Sequence, residues 1–241
     1  VKFHLTTPVT QLRLAPDSGV EVEWREGAAR FDSVVLATPL NFVRWLTRDE
    51  SFAGHLDQIN LDVESQGVIN VVLLLRRSIT SRYYWVAAID DTLPFQGIVE
   101  SSVLLDRADS AGMHLVYLMR YLHRDDDFFA LPDEEIIERY VEALLKIQPQ
   151  LSKADIVDKF VFRAPFVEPR YTLGYSRRKP PICVIPRTLF LATSAQVYPE
   201  ITSWNGSATL AKRVAAELLA QRPSTVLSGV SAGMAAGSQV P

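Results

Sequence analysis

Between residues 68 and 122, four strand-like segments follow one another with only turn-like links and no helical periodicity between them. They span 68–75, 82–89, 97–105 and 114–122, joined by Asp90-Asp91-Thr92-Leu93-Pro94 and by residues 106–112. Parallel neighbours need a long crossover, most often a helix, so links this short demand an antiparallel or mixed sheet. The amphipathic stripe after Pro132 and the acids Asp133-Glu134-Glu135, with Ile136, Ile137, Tyr140, Val141, Leu144 and Leu145 at helical spacing, predicts a helix packed on that sheet. A further strand is expected over 156–164.

Strand patterns also open the chain. Residues 9–37 read as three strands, the first two joined by Ala15-Pro16-Asp17-Ser18-Gly19, whose Pro, Asp and Gly suit a hairpin. Val20, Val22 and Trp24 alternate with Glu21, Glu23 and Arg25, the pattern of a half-buried strand. The third strand is expected over 30–37, after the Glu26-Gly27-Ala28-Ala29 turn. Its apolar end, Val34-Val35-Leu36-Ala37, predicts burial on both faces. Thr38-Pro39 stops it, and Phe42, Val43, Trp45 and Leu46 offer an apolar face for a helix starting at Pro39. Near the other end, 188–192 reads as a buried strand. A helix is expected over 206–220, with Ala211, Val214, Ala215, Leu218 and Leu219 on its packed face. Beyond Gln221 the composition falls to Ser, Gly, Ala and Pro, which predicts a disordered tail over 221–241.

Composition narrows the function classes. Lys plus Arg number 25 and Asp plus Glu 28, a formal charge of −3, so no global field favours nucleic acid. The longest apolar run, 68–75, is too short to span a bilayer. A single cysteine, Cys183, excludes an internal disulfide and fits a reducing, cytoplasmic compartment. The chain enters a strand-like alternation at Lys2, as a piece of a longer polypeptide would.

Conventional catalytic patterns are absent. His4, His55, His114 and His123 show no zinc-ligand spacing, Cys183 has no CxxC partner, and no GxSxG, P-loop or GxGxxG occurs. Solvated or hydrogen-bonded roles account for His114 and His123, and a solvated turn for Asp125-Asp126-Asp127. Two segments stand out. One is the strand ending Ala37-Thr38-Pro39; the other is Leu189-Phe190-Leu191-Ala192-Thr193-Ser194, followed by Trp204-Asn205-Gly206-Ser207 at a helix start. Small residues let a flat ring or a diphosphate approach the backbone, and a helix start offers N–H donors. An ordinary strand–loop–helix with a capped terminus reads equally well.

From these residues the chain resembles the C-terminal part of the FAD-dependent amine oxidoreductases, the flavin amine oxidase and protoporphyrinogen oxidase-like group. Within it, the chain is most similar to bacterial NAD(P)/FAD-dependent oxidoreductases. The strand that contacts adenine in that group corresponds to Val9 in Thr7-Pro8-Val9-Thr10-Gln11-Leu12. The family's D.VV.A.P strand matches Asp32-Ser33-Val34-Val35-Leu36-Ala37-Thr38-Pro39. Likeness continues through 67–75, Tyr83-Tyr84-Trp85, 95–100, 114–118 and Phe162-Arg163-Ala164-Pro165. It covers residues 1 to about 220. The family's closing AGD or AGT becomes Ala192-Thr193-Ser194, with Thr in place of Gly and the acid lost or shifted. The GA that begins its last helix becomes Ser207-Ala208.

The resemblance implies an α+β architecture: a mixed or antiparallel β-sheet substrate domain over 60–170, plus the C-terminal portions of a Rossmann-like FAD-binding domain. Those portions would be 1–45 and 185–220. It implies FAD contacts at Val9, Ala37, Thr38, Pro39, Ala192, Thr193 and Ser194, and at Asn205, Gly206 and Ser207 along the flavin's pyrimidine edge. Tyr198 and Trp204 would wall the flavin or pack in the core. The basic run around Arg177 would take an anionic substrate or lie solvated. The implied parent is a flavoprotein oxidoreductase passing a hydride from a small-molecule substrate to FAD, with no catalytic base identifiable. The strand–GxGxxG–helix that anchors the FAD diphosphate is expected in a missing N-terminal half of the same polypeptide, which leaves the fragment inactive alone. The alternatives are a non-catalytic module that binds a ligand or partner, and a structural subunit completed by another polypeptide.

Overall fold

The computed structural model describes residues 1–222. In chain order the strands are β1 (Val9–Leu14), β2 (Val20–Trp24), β3 (Gly27–Phe31), β4 (Val34–Leu36), β5 (Ser65–Leu75), β6 (Trp85–Ala87), β7 (Gly97–Glu100), β8 (His114–His123), β9 (Ile156–Pro169), β10 (Cys183–Ile185) and β11 (Leu189–Leu191). The α-helices are α1 (Leu40–Leu46), α2 (Asp133–Ile147) and α3 (Trp204–Ala220). The content is α+β, as expected. Two compact units divide the chain, one of residues 64–170, the other of residues 1–63 together with those from 171 on. The expected segments 1–45 and 185–220 both fall in the second of these. The tail expected over 221–241 lies outside the described residues from 223 on.

The 64–170 unit is a five-stranded antiparallel sheet in the order β6-β7-β8-β5-β9. Alternation along β5 sends Ile69, Val71, Leu73 and Leu75 to one face, all fully buried with Val116 and Leu118 of β8. The helix α2 covers that face with Ile136, Tyr140, Val141 and Leu144, and Ile137 and Leu145 are half-buried beside them. β9 runs past the expected 156–164 as far as Pro169, while β6 shortens to three residues. β7 ends at Glu100 because the chain turns there into a 3-10 turn, Ser101–Val103. Glu100 is fully buried. It accepts from the Thr80 N–H and hydroxyl, both at 2.8 Å, and lies 3.1 Å from His114 Nδ1.

The other unit holds two small sheets. β1-β2-β3 is an antiparallel meander, and β10-β11-β4 contains the parallel pair β11 and β4. Here the expectation of one strand over 30–37 is corrected. Asp32-Ser33 break it, β3 stays in the meander, and β4 crosses to the second sheet, where Leu36 stands opposite Leu191. Burial on both faces fails for Val35, which is 40% exposed. It does hold for β11. Leu189 and Leu191 pack with Leu36, Leu40 and Val43, while Phe190 packs with Val197, Leu210 and Val214.

Both flanking helices bury only part of the expected face. α1 buries Leu40, Val43 and Leu46 and leaves Phe42 and Trp45 exposed. α3 buries Gly206, Leu210 and Val214 at i, i+4, i+8, with Leu218 half-buried, whereas Ala211, Ala215 and Leu219 are exposed. Alanine contributes little to an apolar pattern, so the larger Leu210 and Val214 decide which side docks. Among the described residues no helix is long and apolar enough to cross a membrane.

Candidate functional site

The parallel pairing of β4 with β11 brings Ala37-Thr38-Pro39 and Ala192-Thr193-Ser194 side by side at the carboxyl ends of two strands. The Val34 N–H donates to Thr188 O at 2.8 Å, and the Ala192 N–H to Leu36 O at 2.9 Å. In open α/β sheets ligands bind at such strand ends. Ala37 is exposed and Ala192 half-buried, so no bulky side chain screens the backbone there. The Thr38 hydroxyl oxygen is buried and has no hydrogen-bond partner among the described residues, a condition native structures rarely leave unexplained. Pro39 then starts α1 with φ −55°. Val9 lies apart in the meander, half-buried against the same core as Leu36.

The turn after β11 is tightly held. The Thr193 N–H donates to Gln196 Oε1 at 2.8 Å, and Gln196 Nε2 donates to Pro181 O at 2.8 Å. Gln196 is 2% exposed, so this amide fixes the strand end to the Pro180-Pro181 segment from inside. The Tyr171 hydroxyl donates to Ser194 O at 3.2 Å, the Tyr175 hydroxyl to Ala195 O at 2.7 Å, and Lys179 Nζ to Tyr198 O at 3.0 Å. Tyr198 does not stand alone: its ring meets Tyr171 at 4.9 Å and Tyr175 at 5.4 Å between centroids. Burial, reinforced by Tyr171, pushes the Tyr175 phenol up to about 12 despite Arg178. Sequence reading missed Tyr171, Tyr175 and Gln196. The only signal was aromatic residues inside a basic, Pro-rich stretch, which reads as loop.

The start of α3 is capped from within. Ser203 Oγ accepts from the Gly206 N–H at 3.0 Å, and Ser203 O accepts from the Ser207 N–H at 2.9 Å. Of the three residues expected along the flavin edge, Gly206 and Ser207 therefore have their N–H groups already engaged. Among the described residues, the unpartnered donors at this terminus are those of Trp204 and Asn205. Trp204 is 94% exposed and so is not a core residue, while Asn205 and Ser207 are exposed and Gly206 buried. Just before the cap, the Thr202 hydroxyl is another buried oxygen without a partner. Small strand ends, orphan hydroxyls and two free N–H groups at the positive end of a 17-residue helix suit a flat, electron-rich group. Among the described residues no cluster of metal-ligating side chains accompanies them.

A family model described as flavin containing amine oxidoreductase matches residues 1–219. No curated protein matches the chain in sequence. Three solved structures share its fold. An oxidoreductase from Methanosarcina mazei has 14% identity and a TM-score of 0.66, over 89% of this chain and 50% of that one. Reduced UDP-galactopyranose mutase has 13% identity and a TM-score of 0.68, over 94% and 50%. A putrescine oxidase redesigned in its cofactor binding has 16% identity and a TM-score of 0.67, over 89% and 48%. The chain thus spans about half the length of the solved structures it matches. With a family match over nearly all of its described length, the chain belongs to the flavin-containing amine oxidoreductases.

Proposed function

We propose that this chain is the C-terminal half of an FAD-dependent oxidoreductase that takes a hydride from a small-molecule substrate. An N-terminal half of the same polypeptide would carry the diphosphate loop. The observation that carries the reading is the juxtaposed ends of β4 and β11, Ala37 to Pro39 beside Ala192 to Ser194. When bound, FAD supplies the acceptor for a hydride leaving a C–N or C–C bond. The chain's own residues position and polarise. Trp204 and Asn205 present N–H groups where the helix dipole is positive, which favours negative charge placed there. Thr38 offers a hydroxyl with no competing partner. Gln196, Tyr171 and Tyr175 hold the turn after β11 rigid through its backbone, so these donors stay in place. The 64–170 sheet would carry the substrate.

The exposed Val35 on β4 supports completion by a further segment, since parallel sheets are covered on both faces. Residence in the cytoplasm is part of the same reading, supported by the lone cysteine, Cys183. Expressing the 241-residue chain alone, and again within its longer reading frame, tests the proposal by flavin absorbance after gel filtration. The chain alone should be colourless and the longer product yellow. Stoichiometric flavin on the chain alone would overturn the half-enzyme reading. A folded longer product without flavin would favour a non-catalytic binding module, the reading that the lack of GxGxxG in this sequence also favours.

A further inference from the structure

We propose that a cavity on the helix-covered side of the five-stranded sheet binds an organic phosphate monoester. The cavity measures about 450 Å³ and lies wholly within the 64–170 unit, between the link 91–94, β8 and α2. That volume falls in the ordinary range of small-molecule sites. Arg120 of β8 and Arg139 and Lys146 of α2 line it, facing the carboxylates Asp91 and Glu142. Arg139 is engaged with Glu135 one turn earlier, and Lys146 lends its charge to Asp90.

Arg120 differs from its neighbours. Its guanidinium is half-buried and stacks on the Phe128 ring, 5.1 Å from the centroid, yet it makes no hydrogen bond or ion pair among the described residues. Arg139 stacks on the same ring at 5.7 Å, so two planar cations are held against one aromatic side chain. Tyr140 is fully buried, its hydroxyl has no partner, and it lies close enough to Arg120 for the guanidinium to oppose the upward push of burial on the phenol. The half-buried Arg120 guanidinium thus lines the cavity without an acceptor, and leaving such a group unsatisfied is costly. A phosphate answers it: its oxygens match a guanidinium fork, and Lys146 adds a point charge. Leu93, Pro94 and Ala143 supply an apolar wall for the organic part.

Calorimetric titration of the full chain with phenyl phosphate, inorganic phosphate and acetate tests the assignment. One saturable site is expected, with phenyl phosphate tighter than phosphate and phosphate tighter than acetate. R120Q should weaken phenyl phosphate by at least about tenfold, the loss expected of one charge-assisted fork. R30Q, which changes a β3 arginine paired with Asp17, should bind as the parent chain does. If R120Q does not fold by circular dichroism, R139Q and K146Q give the answer, each expected to weaken binding about threefold or more. No saturable phosphate binding, acetate binding as tightly as phosphate, or folded variants of the lining cations that all bind like the parent would overturn the proposal.

Discussion

A Cβ on residue 206 would stand 2.8 Å from Cγ1 of Val197, so glycine in the first turn of α3 is what lets that helix close onto the turn after β11. The close approach that demands glycine here is made by the chain's own valine. Gly206→Ala should therefore destabilise the fold by about 1 kcal/mol, overpacking against Val197 outweighing the gain in helix propensity. Gly206→Val should cost more. Urea unfolding of both variants checks this, and equal stability of Gly206→Ala and the parent chain would contradict the packing role.

Glu100 should govern acid stability. Burial raises its carboxyl, but hydrogen bonds from Ser78 and Thr80, with His114 beside it, outweigh burial and hold it below the ordinary carboxylate range. A folded-state value below the unfolded one means stability that is present above the unfolded value, near 4.3, and lost as pH falls through the folded one. Glu100→Gln should cost about 1–3 kcal/mol at neutral pH and lose less on acidification than the parent chain. Denaturant melts across the acid range, compared between the two, measure the difference.

Tyr175 should act at the opposite end of the scale. Its phenol is pushed up to about 12 by burial, with Tyr171 adding, and its hydroxyl holds Ala195 O at 2.7 Å. A raised folded value means stability fully present below the unfolded value, about 10, and lost as pH climbs through the folded one. Tyr175→Phe should cost about 1 kcal/mol at neutral pH and flatten the loss between pH 10 and 12. Thermal melts at neutral and alkaline pH distinguish this from a purely hydrophobic role, for which the two pH profiles would run parallel.

Gln196 should couple the fold to the candidate site. Gln196→Ala removes a buried acceptor for the Thr193 N–H and a donor to the partly exposed Pro181 O, at a cost of about 1–3 kcal/mol. In the longer flavin-bearing product, the loosened turn should also lower flavin content relative to protein. Unchanged content in a variant with the expected loss of stability would separate the turn from the cofactor.

Much of the 64–170 unit could be read directly because its signals are local. Ile136, Tyr140, Val141 and Leu144 recur at helical spacing, and β5 and β8 are long apolar-rich runs, so element type follows from neighbouring residues. The candidate strand ends were legible too, since Ala37-Thr38-Pro39 and Ala192-Thr193-Ser194 announce small residues after apolar runs. Long-range contacts decided the rest. Apolar burial has no direction of its own, so nothing in Val34-Val35-Leu36 says that these residues leave the meander to lie parallel to β11. The packed face of α3 was chosen by Phe190 and Val197, which the alanines of that helix could not foretell. The contacts of Gln196 with Pro181 and of Tyr198 with Tyr171 and Tyr175 join residues well separated in the chain, and exist only once the turn after β11 has folded against the 171–181 segment.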